Sequence, residues 1–143
     1  MAAFRPLPLS GFKYEQYDMK ASEVYTDGAF LLFDTGEVAE CVADPTTVMG
    51  LAVGASGDHV DPTKQIVAVF REDARILISG DDAPVEANIG VKYGAVVDGD
   101  GIWTLDGTET TTVSLYVENI DLIRNLYICR ILEAVLPSVV PTP

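Results

Sequence analysis

Short apolar runs separated by turn-forming residues dominate the chain from residue 23 onward. The runs at residues 24–25, 29–33, 38–42 and 48–53 are divided by Asp-Gly, Thr-Gly and Asp-Pro pairs. Apolar runs of strand length that end at Gly, Pro or Asp are typical of β-structure. The pattern therefore predicts an all-β fold.

Later segments repeat this theme. Turns at residues 34–37 and 98–101 predict two hairpins, because Asp and Gly adopt the dihedral angles that tight turns need. Residues 66–70 and 75–79 are two β-rich runs. Alternation of apolar and polar residues over 112–117 predicts a half-buried strand.

The last apolar segment, residues 120–136, allows two structures. It is either a strand that follows a turn near Arg124 and Asn125, or an amphipathic helix with Ile123 and Tyr127 on one face. The continuous apolar run at 126–129 favours the strand.

The two ends of the chain differ from the β domain predicted for residues 21–136. Residues 137–143 are too proline-rich to continue a strand or helix and form a tail. Residues 1–20 mix prolines and aromatics without a period, which favours an extended N-terminal arm over the alternative of a loose terminus. Exposed apolar groups mark contact sites. The candidate contact residues of the arm are Phe4, Arg5, Leu7, Leu9, Phe12, Tyr14 and Tyr17.

Composition narrows the classes of partner. The 143 residues carry a formal charge of −13, which disfavours nucleic acid because such binding rests on cations that neutralise phosphates. The start of the chain lacks the pattern of a signal peptide, and no apolar run approaches the ~20 residues that span a bilayer. We therefore predict a protein made in a cytosol, without a membrane partner. Cys41 and Cys129 lie among apolar neighbours, which favours buried free thiols over a disulfide.

No motif predicts catalysis, a metal or a cofactor. His59 is the only histidine, and a transition-metal site needs three or four ligands. The acidic turn at 98–101 fails the calcium-loop pattern because Ile102 and Trp103 follow it. Ser56 lacks the spacing of a nucleophile elbow. We predict that the protein is not an enzyme.

The segments DGAFLLFDTGEV, ADPTTVMGLAVG, QIVAVF and ARILISG, taken in this order, resemble the head decoration (capsid cement) proteins of tailed bacteriophages. The similarity covers residues 24–117. It implies a compact β-sandwich, barrel or tulip-like body. It also implies a structural virion protein on the outside of the matured head, which forms a homotrimer and bridges neighbouring subunits of the major capsid protein.

Two alternatives remain open from the sequence. A small carbohydrate- or ligand-binding β module would use an exposed Trp103, with Tyr93 or Tyr116 nearby, as a stacking platform. The position of Trp103 just after a hairpin turn favours a core or subunit-interface residue. Another virion component, such as a tail or baseplate part, is the second alternative.

Overall fold

The computed structural model describes residues 4–137, which form one curled antiparallel sheet of nine strands with two short 3-10 turns. The predicted all-β fold is confirmed. The strands are β1 (Leu7–Asp18), β2 (Phe30–Asp34), β3 (Glu37–Glu40), β4 (Gly50–Val53), β5 (Lys64–Ile78), β6 (Lys92–Val97), β7 (Trp103–Asp106), β8 (Leu115–Asp121) and β9 (Leu126–Ile131). The 3-10 turns are Glu86–Asn88 and Glu133–Val135.

The long strand β5 organises the sheet, whose order is β3-β2-β4-β5-β9-β8-β6-β7. On one edge β5 pairs with β1; on the other it pairs with β4 through its first half and with β9 through its second. The two β-rich runs predicted at 66–70 and 75–79 are therefore one strand. They looked separate because polar residues interrupt them at 71–73, where Asp73 has a φ of 62°.

The expected N-terminal arm is not confirmed, because β1 is hydrogen-bonded to β5 and belongs to the sheet. Pro8 is tolerated because β1 is an edge strand, where a missing backbone donor costs little. Gly11 has a φ of +73° and lies so close to β5 that a Cβ atom there would be 2.7 Å from Cα of Ala74. The register shifts around Ser10 hide the strand's alternation in the sequence. Residues 138–143 of the predicted tail lie outside the described residues.

Both predicted hairpins and the C-terminal strand are confirmed. Thr35 and Gly36 join β2 to β3 with φ angles of 52° and 84°. The second hairpin joins β6 to β7, and the Asp98 carboxylate accepts the backbone N–H of Ile102 at 3.0 Å. The segment left open between strand and helix is β9, which follows a turn where Asn125 has a φ of 58°.

Trp103 lies at the centre of the core. Its indole stacks on Phe30 with ring centroids 4.8 Å apart, and its Nε1–H donates to Glu40 Oε2 at 2.9 Å. The expected buried free thiols, Cys41 and Cys129, are confirmed. Two isolated parallel bridges connect the outer strands to the ends of the central ones. Val38 of β3 bridges to Met19, just after β1, and Leu105 of β7 bridges to Gly80, just after β5.

Candidate interaction surface

Apolar side chains remain exposed where β1 begins and β5 ends. Leu7 is opposite Leu77 of β5, which in turn is opposite Ile128 of β9. Directly paired residues share a face of the sheet, so these side chains form one row. Leu7 and Leu9 are about half exposed, and Ile128 is partly exposed.

The turn between β8 and β9 adds two more exposed apolar residues to this end. Ile123 is 95% exposed, and its neighbour Leu122 is also exposed. The Asp121 carboxylate accepts the backbone N–H groups of Ile123 and Arg124, at 3.1 and 3.0 Å, and pairs with the Arg124 guanidinium at 2.7 Å. These bonds hold the turn in place with its apolar side chains directed at solvent.

An open groove of about 750 Å³ connects the turn to the first described residue. Phe4, Ser79, Asp98, Ile123 and Leu126 are among the residues that line it. The Ser79 hydroxyl donates to the backbone carbonyl of Phe4 at 3.4 Å, which holds the chain against the end of β5. We call the whole region the apolar end surface; it consists of Phe4, Leu7, Leu9, Leu122, Ile123 and Ile128.

The structure separates the candidate contact residues into two groups at the surface and one residue, Tyr17, in the core. Phe4, Leu7 and Leu9 belong to the apolar end surface, and the exposed Arg5 lies beside them. Phe12 and Tyr14 lie farther along β1, with their rings edge to face at 5.3 Å, and Tyr14 is 60% exposed.

Tyr17 is corrected to a core residue. It is only 4% exposed and packs against Phe33 with ring centroids 5.0 Å apart. Leu122, Ile123 and Ile128 were not predicted as surface residues. The visible signal was an apolar pair, Leu122-Ile123, between Asp121 and Arg124-Asn125, which is unusual for a turn.

The proposed carbohydrate platform is absent from the surface. Trp103 is 1% exposed and Tyr93 is buried. Tyr116 is half-buried, and its ring face is already covered by the Arg130 guanidinium, 5.0 Å from the ring centroid. Trp103 and Tyr93 therefore offer no exposed ring, and one face of the Tyr116 ring is occupied by Arg130.

A buried polar network closes the opposite end of β5. Gln65 is fully buried; its Oε1 accepts the Tyr25 hydroxyl at 2.7 Å, and its Nε2 donates to the carbonyls of Val53, Gly54 and Ile66 at 3.2, 3.3 and 2.8 Å. His59 accepts the backbone N–H of Ile66 through Nε2 at 3.2 Å. These side chains provide hydrogen-bond partners for backbone N–H and C=O groups near the start of β5.

Three acids meet where the segment after β3 touches the β6–β7 hairpin. Partial burial, together with the hydrogen bond and negative charge of Asp106 and the charge of Glu109, raises the pKa of Asp44 to about 6. Hydrogen bonds from Thr108 lower the pKa of Asp106. Asp44 Oδ1 is buried without a hydrogen-bond partner. Burial and the neighbouring negative charges therefore favour the protonated form of Asp44.

Within residues 4–137, no three His, Cys, Asp or Glu side chains are placed to hold a metal ion. A search of the same residues for a helix long and apolar enough to cross a membrane found none. The described residues thus form a small all-β protein with a cluster of exposed apolar residues, the apolar end surface. Comparisons with protein-family models, with curated proteins and with solved structures found no match.

Proposed function

We propose that this chain is a structural virion protein that binds the outside of a matured phage head and stabilises the capsid by bridging neighbouring subunits of the major capsid protein. It would be made in the host cytoplasm and need no cofactor. Two kinds of support exist: the sequence resemblance of residues 24–117 to head decoration proteins, and a surface suited to contact with another protein. The homotrimer implied by the resemblance belongs to the same proposal.

The apolar end surface is the observation that carries this proposal. A chain with a charge of −13 has ample polar surface, yet it leaves Leu7, Leu9 and Ile123 in solvent. Clustered exposed apolar residues on a soluble domain mark protein contacts. The cations Arg5 and Arg124 lie at the same end, and arginine beside apolar groups is the composition of interface hot spots.

The acidity elsewhere complements this surface. Like charges repel, so a strongly acidic body disfavours adhesion to other acidic surfaces and to nucleic acid. Binding to another acidic surface would then favour the end where Arg5 and Arg124 lie beside apolar groups. Such a preference suits a protein that coats a large assembly in ordered positions.

The test is co-sedimentation of the purified full chain with expanded heads of its phage. The triple variant Leu7→Ser, Leu9→Ser, Ile123→Ser should bind at least about 100-fold more weakly, since loss of several anchors removes most interface energy. Val60→Ser is the matched control: Val60 is also an exposed apolar residue, but it precedes the other end of β5. This variant should bind like the wild type.

Three results would contradict the proposal. The first is wild-type protein that ignores expanded heads at every salt concentration. The second is a triple variant that folds and still binds with unchanged affinity, which would place the contact elsewhere. The third is binding to tails or baseplates in place of heads, which would assign the chain to another part of the virion.

A further inference from the structure

Among residues 4–137, β5 is the only strand that pairs with β1, and no strand lies against the outer edge of β1. The strands at the two ends of the sheet order, β3 and β7, have only four residues each and are bridged at Val38 and Leu105. Among residues 4–137, β1 therefore has the longest open edge. Unpaired N–H and C=O groups along such an edge form a template for another strand.

The two halves of this edge differ in their capacity to add a strand. The first half contains Pro8, which has no N–H, and register shifts on both sides of Ser10. Prolines and bulges are devices that block pairing at an edge. From Phe12 to Gln16 the register with β5 continues without a shift, and no proline is present. Only this second half is a regular, unblocked strand edge.

We propose that this second half of β1 pairs antiparallel with the same segment of a second copy of the chain. The two sheets would become continuous across a twofold axis, with Tyr14 opposite Tyr14 of the second copy. In that register Lys13 lies opposite Glu15 of the second copy, and the symmetry repeats this ion pair. The twofold contact uses a single surface on both partners, so it closes at a dimer.

Charge selects this register over its neighbours. Side chains that lie opposite each other must share a face of the joined sheet, so the neighbouring registers are those in which the twofold axis moves by one residue along β1. An axis at residue 13 places Lys13 opposite Lys13 of the second copy, and an axis at residue 15 places Glu15 opposite Glu15. Like charges directly opposite are destabilising and opposite charges are favourable. The register centred on Tyr14 is therefore the favoured one.

The exposed aromatic residues point to the same place. Tyr14 is 60% exposed and rests edge to face against Phe12. Pairing at Tyr14 would bring both rings of each copy together about the twofold axis. Aromatic cross-strand pairs stabilise sheets. Lys13 and Glu15 already contact each other at 2.7 Å within one chain, so both are positioned on the face where their counterparts would lie.

This dimer goes beyond the proposed function and does not depend on it. It is an alternative to the homotrimer that the resemblance implies, since isologous pairing of one edge gives two copies and no more, so the oligomeric state in solution decides between the two. The assay needs no phage heads, so its failure leaves the head-binding proposal untouched. The head-binding assay in turn uses variants of the apolar end surface and leaves Lys13 and Glu15 intact.

The experiment is sedimentation velocity of the full chain over a dilution series at physiological salt. We expect a monomer–dimer equilibrium. Lys13→Glu and Glu15→Lys should each raise the dissociation constant by about tenfold or more, because each places two like-charge pairs in the contact. The double variant restores both opposite-charge pairs in reversed order and should return to within a few-fold of wild type. Lys92→Glu, at an exposed lysine of β6, is the control with the same change of charge as Lys13→Glu.

Hydrogen exchange gives a second readout. Outward-facing amides between Phe12 and Gln16 should exchange more slowly as the protein concentration rises. A chain that stays monomeric at all concentrations, or that forms a trimer, would overturn the proposal. So would a dimer that tolerates both single charge reversals, or one in which the double variant fails to recover.

Discussion

The two longest strands, β1 and β5, lie side by side yet differ in almost every respect. β5 has partners on both edges, and most of its residues are buried. β1 has a partner on one edge, includes Pro8 and Gly11, and leaves most of its residues exposed or half-buried. The difference shows that strand formation depends on the partner that is available more than on the strand's own residues. It also separates two roles: β5 holds the sheet together, and β1 covers it and presents surface.

Removal of β1 should have the largest effect on the stability of the sheet. Deletion of residues 2–17 should abolish the cooperative fold, because it uncovers one whole edge of β5 and removes the buried Tyr17. Near-ultraviolet circular dichroism and urea titration against the full chain would measure the loss. A truncated protein with native spectra and an unchanged unfolding midpoint would instead make this segment a dispensable arm, as the sequence pattern predicts.

Substitution of Gln65 tests what the one fully buried polar side chain of β5 contributes to stability. Gln65→Leu should lower the free energy of unfolding by about 3 kcal/mol, because the Tyr25 hydroxyl and the backbone groups it serves would be buried without partners. Tyr25→Phe removes a single hydrogen bond and should cost only about 1 kcal/mol. Urea denaturation measures both. A Gln65→Leu variant as stable as wild type would show that the network is not needed at this end of β5.

Gly11 tests the bulge where β1 crosses the bend in β5. Gly11→Ala should lower the free energy of unfolding by about 2 kcal/mol, since it combines a positive φ with a Cβ only 2.7 Å from Cα of Ala74. Ser10→Ala, at the exposed neighbouring position, should change it by less than about 0.5 kcal/mol. Equal effects in thermal denaturation would mean that the close approach at Gly11 relaxes without cost.

Local signals were enough to predict most of the fold. The hairpin at Gly36 and the turn at Asn125 depend on residues that tolerate positive φ, and the apolar runs of β5 and β9 suit buried strands. β1 could not be predicted in this way, because Leu7 pairs with Leu77, far along the chain, and the shifts around Ser10 break the alternation that would reveal a strand.

The candidate surface was predicted in part. Exposed apolar residues near the N-terminus were expected, and Leu7 and Leu9 are such residues. Tyr17 could not be told from them, because burial depends on Phe33, which reaches it only in the folded sheet. Ile123 was not predicted as a surface residue for the reverse reason. It belongs to the apolar-rich segment 120–136 in the sequence, and only the turn held by Asp121 directs it to solvent.

Asp44 and its neighbour Asp106 make the stability of the fold depend on pH. The backbone N–H of Asp44 donates to the carbonyl of Ala95 at 2.7 Å, so the pair lies at a joint between the segment after β3 and strand β6. The pKa of Asp44 is raised from an ordinary 3.8 to about 6. Between those pH values the native chain therefore holds a proton that the unfolded chain has released. Folding in this range is accompanied by proton uptake, and the resulting stabilisation, complete below about pH 4, is lost as the pH rises through about 6. Mild acid therefore stabilises this joint, and the stabilisation is already lost at neutral pH.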